Sequence, residues 1–173
     1  MQKVYGAKAA QDGIVRVGRA KYDLFYGFGT DDQNEDNGGW NWRHRFDHWP
    51  TLAEVREVIF GVIDARVQDT ILQGLSYEDA LVWLSADNQR TYSLTAMSVQ
   101  SDPKGALPVT VKLGTDEQPV WRTFEEATAF MAFFNTITAH INRAREEGWQ
   151  EKKNINWAAY EQPQNKQGEN KNE

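Results

Sequence analysis

Along the chain, apolar and polar residues first alternate and then settle into a spacing of three and four, and the change of period separates expected sheet from expected helix. Gln11-Asp12-Gly13 reads as a turn ahead of Ile14-Val15-Arg16-Val17, and Tyr22, Leu24, Tyr26 and Phe28 recur at every second position, the period of a half-buried strand. After the polar loop Thr30 to Gly39, the segment WNWRHRF alternates again. Trp40, Trp42, His44 and Phe46 fall on one face, expected to be buried, and Asn41, Arg43 and Arg45 fall on the other, expected to be solvated.

From Thr51 the period becomes helical. Thr51 and Glu54 form a capping-box pattern after Pro50, and Leu52, Val55, Ile59, Val62, Ile63, Val67 and Ile71 then recur along one helix face, with Gly74 near its stop. A short strand is predicted around Leu81-Val82-Trp83-Leu84, then a short helix that aligns Tyr92, Ala96 and Val99, closed by the breaker Asp102-Pro103-Lys104-Gly105. Val109, Val111 and Leu113 alternate with Thr110 and Lys112, which predicts a strand with one buried face, and Gly114 to Pro119 makes a hairpin connection. Thr123 with Glu126 suggests a second capping box. It precedes a long helix whose buried stripe is Phe130, Phe133, Phe134, Ile137, Ile141 and Ala144 and whose end is expected near Gly148. The tail EQPQNKQGENKNE has no apolar residue to bury and is expected to be disordered. The fold class expected is therefore α+β: an N-terminal antiparallel sheet, a long central helix, then a β-hairpin and a long C-terminal helix. The expected division is residues 1–50, 51–160 and the tail 161–173.

Composition narrows the function classes. The 173 residues are 40% hydrophobic and 12% aromatic, enough for one domain with a core or two small ones. A net charge of -6 argues against a general binder of nucleic acid or of membrane surfaces, because phosphate recognition needs a concentrated basic face. With no cysteine, disulfides, thiolate metal sites and a cysteine nucleophile are excluded. The opening MQKVYGAKAAQDG lacks the apolar core of a secretory signal, and no run reaches the roughly 20 apolar residues of a membrane span.

Candidate chemistry is sparse. His44 and His48, with Asp47 between them, have the spacing that converges on a metal in a helix, but their segment reads as a strand running into Pro50, where it does not converge in that way. Asp32, Asn34 and Asp36 alternate as calcium ligands would, yet the positions that need Gly and Glu hold Asn37 and Arg43. Neither pattern supports a metal, and no cofactor is expected. Asp116 and Glu117 sit in a turn, His140 stands alone on a helix, and no motif for a nucleophile with its base or for a phosphate-binding loop is present, so an enzyme is not expected. Trp40, Trp42 and Trp49 lie within ten residues and suggest a glycan platform, the alternative function, although the first two share the face expected to be buried.

Four stretches, ILQGL, VWLSADNQ, LPVTVKLGTDEQPVWRTF and INRAREEGWQEKKNIN, resemble a domain of unknown function seen in phage and prophage proteins, often with tail fibres or their assembly proteins. The resemblance runs over roughly residues 66–157 and leaves the first fifty residues unmatched. It transfers no catalytic residue. It implies a non-enzymatic structural or adaptor component of a phage tail, made in the host cytoplasm and located in the virion, that associates with itself or with other tail proteins. The surface expected to mediate that contact pairs Asn41, Arg43 and Arg45 with the acidic loop containing Asp31, Asp32 and Asp36. Charge reversal at Arg43 and Arg45 is expected to weaken association without lowering the melting temperature.

Overall fold

A computed structural model describes residues 1–30 and 38–162, and the architecture is the α+β arrangement expected from the residue pattern. Four strands, β1 (Gln2–Ala7), β2 (Gly13–Arg16), β3 (Tyr22–Gly29) and β4 (Gly39–Phe46), form one antiparallel sheet in the order β1-β4-β3-β2. Helix α1 (Leu52–Gln73) follows, then a hairpin of β5 (Leu75–Tyr77) and β6 (Ala80–Val82), helix α2 (Ala86–Ser101) and the single turn α3 (Pro103–Ala106). A second hairpin, β7 (Val109–Gly114) and β8 (Pro119–Phe124), leads into the long helix α4 (Ala127–Asn154) and a closing 3-10 turn at Trp157–Tyr160. The contacts divide the chain into two compact units, Met1–Val62 with the residues from Asn154 onward, and Ile63–Lys153. The tail from residue 163 lies outside the described residues.

In the N-terminal unit, the period-two reading holds for Leu24 and Tyr26, both buried, and then breaks. Gly27 takes a φ of +62° and inserts a bulge between Tyr26 and Phe28, so Phe28 turns outward and is 40% exposed. Strand β1 was not legible in the sequence because it is an edge strand with only Ala7 buried, so its residues carry no alternation. At the start of α1 the capping box forms as the sequence suggests: Thr51 N–H donates to Glu54 Oε2 at 2.8 Å and Glu54 N–H to Thr51 Oγ1 at 3.3 Å.

The core of the second unit is built around Phe133. Its ring meets Tyr77, Tyr92, Phe124 and Phe130 at centroid distances of 4.9, 5.5, 5.2 and 6.1 Å. Phe130, Phe133, Ile137 and Ala144 are the buried residues of the predicted stripe, while Phe134 and Ile141 lie at its half-buried margin. Two boundaries differ from expectation. Thr123 does not cap α4; its hydroxyl bonds that of Thr110 across the hairpin at 2.9 Å. Nor does α4 stop at Gly148. That glycine is buried against α1, where a Cβ would come within 2.5 Å of Val67, so it permits close helix approach and the helix continues to Asn154. Beyond it, Lys152 bonds Asp64 at 2.5 Å and Arg66 pairs with Glu151.

Candidate functional site

The residues singled out on β4 do not form one exposed face. Asn41 is 1% exposed: its Oδ1 accepts from Gln11 N–H at 3.1 Å and its Nδ2 donates to Ala9 C=O at 3.3 Å, so the segment between β1 and β2 covers it. Arg43 and Arg45 share that face but converge on Asp23, which lies opposite Arg45 in the register of β3 and β4 and is itself buried. Arg45 makes two bonds to it while half of its side chain stays exposed, and Arg43 stands at 3.8 Å, so the arginines of this face are paired rather than free. The reason is long-range: a polar residue at an outward position is solvated only if no other segment supplies a partner. Asp31, Asp32 and Asp36, and with them the calcium pattern, lie outside the described residues.

The tryptophans of the first fifty residues are half-buried and stand edge to face. Trp40 and Trp42 have ring centroids 5.3 Å apart at 72°, Lys3 stands over Trp40 at 4.0 Å, and Trp49 meets Tyr22 at 5.3 Å and 78°. Trp40 and Trp42 therefore present no shared flat surface. His44 stacks its edge on Phe46, with centroids 4.7 Å apart, while both nitrogens of His48 are engaged, Nδ1 by Asp47 at 2.8 Å and Nε2 by Glu54 at 3.0 Å. These two carboxylates raise the pKa of His48, whereas partial burial lowers that of His44. No group of three or more His, Cys, Asp or Glu side chains among the described residues is placed to hold a metal ion. His140 is spent on the Thr70 carbonyl at 3.3 Å, and Asp116, in its turn, on Lys112.

A concavity lies elsewhere, a cleft of about 480 Å³ in the second unit, within the size range of small-ligand sites. Strand alternation builds it. Leu81 points outward between buried Ala80 and Val82, and Lys112 points outward between buried Val111 and Leu113. Leu72 and Gln73 enter from the last turn of α1, which must end there. Gly74 has a φ of +75°, and a Cβ on it would fall 2.0 Å from the Val82 carbonyl, so only glycine lets the chain reverse into β5.

Trp83 and Asn88 form the adjoining wall. Ser85 caps α2 by accepting from Asn88 N–H at 3.2 Å, and Asn88 Nδ2 donates to the Trp83 carbonyl at 2.9 Å, which fixes the turn that holds the indole out, 54% exposed. On the hairpin side, Lys112 donates to Asp116 at 2.5 Å, so the cation and the anion nearest the cleft cancel. Gly114, at a φ of +78°, and Thr115 complete the rim.

Three stretches distant in sequence thus converge here: Leu72 and Gln73 from the end of α1, Trp83 and Asn88 from the turn into α2 and its first turn, and Lys112, Gly114, Thr115 and Asp116 from the second hairpin. The sequence pattern does not reveal the site because its members spread from Leu72 to Asp116 and most are outward residues of short elements. The signals that could have found it were Trp83 at the end of an apolar run and Leu81 between two smaller apolar neighbours. No family model, curated protein or solved structure matches the chain.

Proposed function

We propose that this protein is a non-enzymatic structural or adaptor component of a bacteriophage or prophage tail. The observation that carries the reading is that the resembling stretch, roughly residues 66–157, coincides within a few residues with the compact unit Ile63–Lys153. The resemblance therefore falls on a unit with its own core rather than on scattered surface segments. The residues that carry it serve that unit: Gly74 reverses the chain, Ser85 and Asn88 start α2, Leu113 is buried, and Gly148 lets α4 approach α1. A unit with its own core, joined to a four-stranded sheet, suits a part that presents surfaces to neighbouring proteins. No described helix is long and apolar enough to cross a membrane.

Co-expression with the products of the flanking genes, followed by affinity capture and light scattering, tests the proposal. A stable complex with a tail or fibre protein, or a particle larger than 19.8 kDa that assembles with one, is the expected result. A monomer that captures none of them, encoded away from any tail gene, overturns it.

A further inference from the structure

We propose that the cleft between Trp83 and the β7–β8 hairpin is a binding site for an uncharged saccharide. The inference does not rest on the tail assignment, and it places recognition in a different unit from the Trp40, Trp42 and Trp49 cluster.

The class of ligand follows from what the cleft offers. One wall is apolar and exposed: Trp83 is 54%, Leu72 42% and Leu81 39% accessible, so a ligand with a C–H-rich face gains by covering them. The remaining wall is polar without net charge. Lys112 is neutralised by Asp116, which disfavours a phosphate or carboxylate ligand as well as a cation. The Gln73 side chain makes no hydrogen bond among the described residues, and the Asn88 side chain spends only its Nδ2, so one complete amide and one carbonyl oxygen among the lining side chains have no protein partner. Those groups donate and accept at once, as do the hydroxyls of a sugar ring. An entirely apolar ligand would strand them, and a charged one would find no unpaired counter-ion among the lining residues. A pyranose, with an apolar ring face and a rim of hydroxyls, satisfies both walls.

The β7–β8 register extends the same surface. Trp121 lies opposite Lys112, hence on the same face of the hairpin, and is 66% exposed. A ligand longer than one ring has a second indole to meet beyond Lys112.

The test uses the full chain and nuclear magnetic resonance of the tryptophan indole N–H groups. Glucose, galactose, N-acetylglucosamine and their β-linked disaccharides are titrated in, with inorganic phosphate and an acidic sugar as charged controls. The expected result is a saturable shift of the Trp83 resonance with at least one neutral sugar, weakened about tenfold in Trp83→Ala and several-fold in Gln73→Ala. Trp40→Ala and Trp49→Ala should bind as the parent does. Both cleft substitutions are at exposed side chains, and an unchanged circular dichroism spectrum establishes that they fold. Silence of every neutral sugar up to about 10 mM overturns the proposal. So does a response confined to Trp40, Trp42 or Trp49, full binding in Trp83→Ala, or saturation by phosphate alone. Failure of sugar binding leaves capture of a tail protein unaffected, and the converse also holds.

Discussion

Arg45 grips the buried carboxylate of Asp23 with two hydrogen bonds, Nε to Oδ1 at 2.6 Å and Nη2 to Oδ2 at 2.8 Å, across the register of β3 and β4. The Asp23 side chain is only 4% exposed, and the pairing holds its pKa below the ordinary carboxylate value, chiefly through the Arg45 hydrogen bonds and then the charges of Arg45 and Arg43. A depressed folded-state pKa contributes stability that is present above the unfolded value of 3.8 and is lost as the pH falls through the folded one. Arg45→Glu should therefore lower the melting temperature at neutral pH, since it sets a second carboxylate against a buried one. This reverses the expectation that charge reversal here spares stability. A melt superimposable on the parent's would show that the pair contributes nothing.

Asn41→Ala should destabilise the N-terminal unit by about 1–3 kcal/mol, because it leaves the Gln11 N–H and the Ala9 carbonyl without their partner in a site that is 1% exposed. Equilibrium denaturation measures it, and hydrogen exchange at Gln11 locates it. Unchanged protection of that amide would count against the assignment.

Phe133 and Phe134 separate the core from its margin. Phe133→Ala removes the ring that meets four others and should cost about 3–5 kcal/mol. Phe134→Ala, at a half-buried position, should cost only ~1–2 kcal/mol. Equal losses in urea melts, or a reversed order, would mean that the phase of α4 is misplaced.

His48 should titrate above the ordinary histidine value, since Asp47 and then Glu54 hold its two nitrogens. Because its folded-state pKa is raised, its contribution to stability is complete below the unfolded value of 6.5 and is lost as the pH rises through the folded value. In an NMR titration, Asp47→Asn should lower the His48 pKa while leaving the Thr51–Glu54 cap in place. A His48 that titrates identically in both proteins would rule out the pairing.

Gly74→Ala should be costly although no side chain is lost, by about 1–3 kcal/mol, because the residue sits at a φ of +75° with the Val82 carbonyl in the path of any Cβ. Chemical denaturation reads the effect. A substitution tolerated without loss would show that α1 can end in another way.

Much of this fold is written in local periods. The Thr51–Glu54 cap, the face of α1 through Val55, Ile59, Ile63 and Ile71, the Tyr92, Ala96 and Val99 face of α2 and the inward side of β7 are all legible, because each follows from the geometry of a single element. Strand β5 is too short to show a period, and β1 lies at an edge where its residues need not alternate. The cleft was illegible for a different reason: outward residues such as Leu81, Gln73 and Lys112 carry no pattern of their own and become neighbours only when separate elements meet.

The same contrast separates the two sorts of information in the chain. Hydrophobic period, capping residues and turn glycines suffice to order the elements and to choose their buried sides, since burial of apolar area and satisfaction of helix ends are decided within a few residues. Partnership between distant polar groups is not decided there. Asn41 looks like a solvated position until Ala9 and Gln11 arrive beside it, Arg45 looks unpaired until Asp23 does, and Gly148 looks like a helix stop until Val67 occupies the space where a side chain would be. Whether an outward residue meets water, a partner or a ligand depends on which other segment passes over it, and that depends on the path of the whole chain.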